Sequence, residues 1–284
     1  MKRKILLPTD FSKNSINAIN YATELYKNDE CDFYLLNVFS ATGNILESLL
    51  NMEPGSELYQ NAKDRSETGL AKVYEMISMR DDYNSKHHFE VVSTFNNVVE
   101  AIKIEVEKRD IEMIIMGTKG ETDHLDSTFG STATYVMEKV RNCPVIVVPR
   151  KAKQTLPKEI VFPTSFKTHY KKRELNHLID ILKKCDAKLI VLHIETEDEL
   201  SDEQKENKKL LKEILGAIEV KFQFLSNHSI ESAVNIFVES RDSDMVAFIN
   251  RKHAFFGSIL TKPMVKSISF QSKVPILVMH DLRN

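Results

Sequence analysis

The chain has 284 residues, with 39 Lys and Arg against 41 Asp and Glu and a formal net charge of -2. At roughly 100–200 residues per domain, this length predicts about two domains, and 42% hydrophobic residues suffice for packed cores. The near balance of charge argues against a dedicated nucleic-acid binder, and no apolar run approaches the roughly 18 residues that a membrane span needs.

The opening Met1-Lys2-Arg3-Lys4 is followed by only three apolar residues before Pro8, too short for a signal-peptide core. Cys31, Cys143 and Cys185 are far apart and form no C-x-x-C pair. Neither a disulfide framework nor a thiolate metal site is expected, and a reducing cytoplasm is.

In chain order, strands are predicted over residues 4–9, 32–38, 89–95, 113–117 and 144–148, all nearly continuous apolar runs of the kind covered on both faces. Between them, Ile16, Ile19, Ala22 and Leu25 make one helical stripe and Val98, Ile102 and Val106 another, with Ser12 as N-cap of the first helix. Residues 40–55 are the least regular stretch. The pattern then starts again. Ile5-Leu6-Leu7-Pro8-Thr9-Asp10-Phe11 reappears as Ile160-Val161-Phe162-Pro163-Thr164-Ser165-Phe166, and Leu35-Leu36-Asn37-Val38 as Val191-Leu192-His193-Ile194. Arg109-Asp110 and Pro144-Val145-Ile146-Val147-Val148 return as Arg241-Asp242 and Pro275-Ile276-Leu277-Val278-Met279. The offset falls from 156 to 131, so the second copy is shorter in its middle. Leu175, Leu178, Ile179 and Leu182 repeat the first helical stripe. The reading is α/β: two tandem domains, 1–150 and 157–284, each an open, mostly parallel five-stranded sheet with helices on both faces. The first copy carries 17 basic and 23 acidic residues and the remainder 22 and 18.

In such sheets, ligands bind beyond the carboxyl ends of the strands, where strand order reverses. The first strand delivers Pro8, Thr9 and Asp10 to that edge. The fourth delivers Met116, Gly117, Thr118, Lys119 and Gly120, and a loop leads on to Gly130, Ser131 and Thr132 at a helix start. Gly117 and Gly120 permit unusual backbone angles and a close approach of main-chain N–H groups to an anion. Gly130 opens a helix whose free N–H groups and dipole favour negative charge, with the Ser131 and Thr132 hydroxyls beside them. This suits a polyphosphate, with Asp10 placed to accept hydrogen bonds from sugar hydroxyls. No P-loop pattern occurs.

Pro8-Thr9-Asp10-Phe11-Ser12 together with Gly117-x2-Gly120-x9-Gly130-Ser131 resembles the universal stress protein family, whose ATP-binding members carry G-x2-G-x9-G-[S/T]. The resemblance covers nearly the whole chain as a tandem. It implies that Asp10 holds the ribose, that the backbone of Val38 meets adenine and that Gly117, Gly120, Gly130, Ser131 and Thr132 wrap the phosphates. Pro8, Thr9 and Met116 would line the pocket. It also implies that Val145 to Val148 and Ile276 to Met279 pair inside one chain as a pseudo-dimer, with a further homodimer left open.

The second copy departs from the pattern. Ile249, Lys252 and Thr261-Lys262-Pro263 stand where the glycines and hydroxyls were, and Ser165 replaces Asp10. No ATP site is expected there; its loop of residues 250–256 is basic and aromatic instead. Within the first copy's loop, Glu121, Asp123 and Asp126 repel phosphate unless they face away or hold Mg²⁺, and Lys119 offsets only one of them. His87-His88 reads as a surface pair with no third metal ligand, His193 as a satisfied core histidine and Cys143 as buried and inert. The expected protein binds ATP, with Mg²⁺, in its first copy and acts as a nucleotide-responsive regulator. The alternatives are an interaction module of the same fold without nucleotide and a slow ATP hydrolase. No general base is identifiable near the γ-phosphate position.

Overall fold

A computed structural model describes residues 2–39, 56–81, 83–118, 130–195, 199–226, 230–251 and 273–281. Its first half contains β1 (Arg3–Pro8), α1 (Lys13–Leu25), β2 (Cys31–Phe39), α2 (Glu57–Ser78), β3 (His87–Phe95), α3 (Val98–Arg109), β4 (Met113–Gly117), α4 (Ser131–Lys139) and β5 (Val145–Val148). The second contains β6 (Glu159–Pro163), α5 (Lys172–Cys185), β7 (Lys188–Glu195), α6 (Asp202–Leu215), β8 (Val220–Ser226), α7 (Ile230–Arg241), β9 (Met245–Asn250) and β10 (Ile276–His280).

Among the described residues, the strands form one ten-stranded sheet in the order β3-β2-β1-β4-β5-β10-β9-β6-β7-β8. Each half is parallel within itself. The halves join where β10 runs antiparallel to β5, with Ile276 opposite Val147, Leu277 opposite Ile146 and Val278 opposite Val145. The two last strands thus meet inside one chain, as the sequence resemblance implies. All seven of these strand residues from Val145 to Val148 and Ile276 to Val278 are fully buried, and complete burial stabilises each large aliphatic side chain by about 1.5–3 kcal/mol.

Alternation along each strand builds two cores. Ile5 and Leu7 point into the layer shared with α1, α2, α5 and α6. Leu6, between them, points into the opposite layer with α3, α4 and α7. The expected stripe on α1 is buried at Ile19, Ala22 and Leu25 and half-buried at Ile16. Ser12 is its N-cap, accepting from the N–H of Ser15 at 3.2 Å.

Three features differ from the sequence reading. Residues 89–95 are not covered on both faces: β3 is an edge strand, and Val91 is 48% exposed. The 22-residue α2 has no counterpart among the expected helices, because its buried stripe of Ala62, Ser66, Leu70, Val73 and Ile77 is only partly apolar. His87 is not on the surface. It is 4% exposed, with Nε2 3.1 Å from Tyr26 O and its ring edge-on to Phe33 at 4.9 Å, and burial holds its pKa below the ordinary histidine value. His88 alone is exposed.

The second half is shorter because residues 196–219 span β7 to β8, whereas residues 40–86 span β2 to β3. The repeat is exact enough that Phe11 and Phe166 both take left-handed φ values, 67° and 55°. Phe166 is fully buried; Phe11 is 36% exposed, with its ring against Gly69 of α2. Among the described residues, no helix is long and apolar enough to cross a membrane.

Candidate functional site

The order of the first half reverses between β1 and β4. β1 is followed in sequence by its neighbour β2 on one side and pairs with β4 on the other, Ile5 opposite Met113 and Leu6 opposite Ile114. The carboxyl ends of these two strands and the start of α4 are the candidate site.

At the end of β1, Pro8 and Thr9 are buried and Asp10 is exposed. The Thr9 N–H donates to Leu36 O at 2.8 Å, and Asn37 Nδ2 of β2 donates to Thr9 O at 2.7 Å. The Thr9 hydroxyl lies 2.9 Å from Ser15 Oγ and accepts from the N–H of Phe11. Asp10 folds back on its own turn: Oδ1 accepts from Ser12 Oγ at 2.7 Å and from Ser12 N–H at 3.2 Å. An aspartate that bonds the residue two positions on is the usual device for turning into a helix. The helix-entry role and a ribose-facing role are compatible, because the side chain stays exposed.

At the end of β4, Met116, Gly117 and Thr118 are all buried. Gly117 does not take a left-handed φ, so the expected backbone freedom is not what this position needs. The requirement is steric: a Cβ here would sit 2.7 Å from Asn14 Nδ2 and 3.0 Å from Asn14 O, so only glycine lets the first turn of α1 approach. Thr118 is tied three ways. Its N–H donates to Val148 O at 3.1 Å, its hydroxyl accepts from Asn14 Nδ2 at 3.2 Å, and its carbonyl accepts from the N–H of Gly130 at 2.6 Å.

That last bond draws the start of α4 to the end of β4. Gly130 is the N-cap, with an ordinary extended φ of -71° and no side-chain capping hydrogen bond. The first residues of the helix, Ser131 and Thr132, are exposed, while Ala133 packs inward. The first turn of a helix without a side-chain cap is a ready anion site. Val38, at the end of β2, is half-buried. Lys119, Gly120, Glu121, Asp123 and Asp126 lie outside the described residues, as do most of the basic loop 250–256 and Thr261-Lys262-Pro263.

Sequence reasoning passed over three residues that build this corner: Asn14, Ser15 and Asn37. Their signal was available, since each is a polar residue in an otherwise buried stripe or strand.

The equivalent corner of the second half is built differently. His193 takes the place of Asn37, with Nδ1 2.9 Å from Thr164 O and its ring stacked on Phe166 at 5.1 Å; it is the satisfied core histidine expected. Gln204 and Asn207 of α6 each donate at 2.8 Å to the carbonyls of Ser165 and Phe166. Arg251, just past β9, donates to His169 O and pairs at 3.1 Å with Glu174, whose side chain is 1% exposed. Side chains from α5 and α6 therefore hold the β6 turn and the β9 end of this half.

A model of the universal stress protein family matches residues 1–149. The chain belongs to that family. Over 155 residues this universal stress protein is 30% identical to one from Methanocaldococcus jannaschii, covering 54% of this chain and 85% of the relative. In fold it is similar to a universal stress protein from Archaeoglobus fulgidus DSM 4304, at TM-score 0.71 and 19% identity over 97% of each chain. It is also similar to a functionally unknown protein from Pseudomonas aeruginosa PAO1, at TM-score 0.61 and 10% identity over 98% of this chain and 92% of that one. At such identities the likeness is one of fold, and it extends through the second half, beyond the end of the family match.

Proposed function

We propose that the first half of this universal stress protein binds an adenine nucleotide, ATP with Mg²⁺, and that the protein is a cytoplasmic, nucleotide-responsive regulator. One observation carries the reading. Gly130 is an uncapped N-cap tied to Thr118 O at 2.6 Å, which sets the exposed Ser131 and Thr132 at the sheet edge that also presents Asp10. In this reading the α4 amides and hydroxyls, with Gly117-x2-Gly120, receive the phosphates. Asp10 receives the ribose, and the Val38 backbone faces the base. Bound ATP would supply a negatively charged, exchangeable ligand, and the residues named here would position it. The domains, 1–150 and 157–284, then divide the work: the first binds, and the second completes the sheet through β10.

A second reading is favoured by Gly117, whose glycine is fully accounted for by Asn14 without any ligand. It makes the protein an interaction module that binds no nucleotide. Heat-denaturing the purified protein and running the supernatant on an anion-exchange column separates the two. About one adenine nucleotide per chain is expected; none, together with no thermal shift on adding ATP and Mg²⁺, leaves the interaction module. Repeated release of ADP would instead mark a hydrolase.

A further inference from the structure

We infer that Asn14 is a positioning residue for the phosphate end of the site: it holds the clamp that ties the start of α4 to the end of β4. The inference rests on the nucleotide reading above and adds to it a residue that contacts no ligand.

The geometry is a contiguous chain. Asp10 holds Ser12, the N-cap of α1, and Asn14 lies in the first turn of that helix. Asn14 is 4% exposed and its Nδ2 donates to the Thr118 hydroxyl, itself on a residue 2% exposed. Thr118 O in turn accepts from Gly130 N–H at 2.6 Å, and Gly130 is the N-cap from which α4 starts. The glycine at 117 is what admits Asn14 this close. The end of β4 and the start of α4 are thus pinned to each other through Thr118, and Thr118 is pinned to α1 through Asn14. A buried hydrogen bond of this kind contributes about 1 kcal/mol, and more when breaking it leaves a polar group without a partner. Transmitted in full to the α4 amides, about 1 kcal/mol is about a fivefold effect on phosphate binding.

The position of Asn14 predicts a signature that general destabilisation lacks. In Asn14→Ala, affinity for ATP falls about fivefold while affinity for adenosine, which makes no phosphate contacts, stays at the wild-type value. The Gly130 amide, followed by hydrogen exchange, exchanges faster. Thr118→Val removes the same bond from its other side and gives the same two changes. The double variant loses no more than either single one, because both act through one bond. Equal losses for ATP and adenosine, additive losses in the double variant or an unchanged Gly130 amide would each overturn the inference. If the wild type binds no ATP, the nucleotide reading falls, and Gly130 exchange still decides whether Asn14 holds the clamp.

Discussion

Lys184 of α5 crosses from the second half of the chain to Asp29 of the first, with Nζ 2.6 Å from Asp29 Oδ2 and 3.6 Å from the centre of the Tyr26 ring. Arg3 makes a similar bridge, to Glu112 in its own half at 2.9 Å and to Asp180 of α5 at 2.8 Å. These contacts lock α5 against the first half on one face of the sheet, while β5 and β10 join the halves through the backbone.

Lys184→Met keeps the apolar stem and removes the charge. Asp29 is 28% exposed, so water takes over part of the lost interaction. The expected loss of stability is about 1–2 kcal/mol, combining a partly screened ion pair with a cation–π contact. Denaturant unfolding measures it, and an unchanged midpoint would show that the pair contributes nothing to the joint.

Gly117→Ala tests the steric account of that glycine. The added methyl meets both the side chain and the backbone carbonyl of Asn14, and forced overpacking of this kind costs about 1–3 kcal/mol. Adding Asn14→Ala relieves only the side-chain contact, so the double variant recovers part of the loss in melting temperature. Full wild-type stability in Gly117→Ala would refute the close approach.

Asp10→Ala separates two roles. Losing the turn bond to Ser12 costs about 1 kcal/mol of stability, visible in urea, while the nucleotide reading expects ATP retention to fall by much more than that stability loss explains. Asp10→Asn keeps an acceptor for Ser12 and is expected to recover the stability. Undiminished ATP retention in Asp10→Ala would remove Asp10 from the site.

Acid sensitivity is expected at the joint between the halves. His280, at the end of β10, is held down to a pKa of about 4, first by burial and then by the nearby Arg141, with Asp281 opposing. A histidine whose folded pKa lies below its unfolded value contributes no loss above about pH 6.5. From there down to about 4 the unfolded chain binds the extra proton, so stability falls as pH falls, by about 3 kcal/mol in total. His280→Leu makes the pH dependence of unfolding shallower by this share, while His87 and His177, also lowered by burial, keep theirs. A variant with the wild-type slope between pH 6.5 and 4 would exclude His280 as its source.

Much of the architecture is legible in the residue pattern because strands buried on both faces must be apolar along their whole length. Ile5-Leu6-Leu7 and Val145-Ile146-Val147-Val148 announce themselves, and their return after Arg150 announces the second half. The α2 helix is not legible in the same way: Ala62 and Ser66 in its buried stripe carry too little hydrophobic signal. His87 defeats a reading by residue type, since its polar ring is buried by a carbonyl acceptor and an aromatic neighbour that lie far away in sequence.

The candidate site divides along the same line. The spacing Gly117-x2-Gly120-x9-Gly130-Ser131 and the strand-end Asp10 can be read without coordinates, because they are local to two turns. Sequence alone also determined the α/β class, the duplication and the loss of the glycines from the second copy. Only the tertiary structure decided why residue 117 must be glycine, which polar groups hold Thr9 and Thr118, and how the two halves are joined. Those depend on distances between separate segments, such as the 2.7 Å from Asn37 to Thr9 and the 3.2 Å from Asn14 to Thr118, and a linear pattern carries no record of which buried donor meets which acceptor.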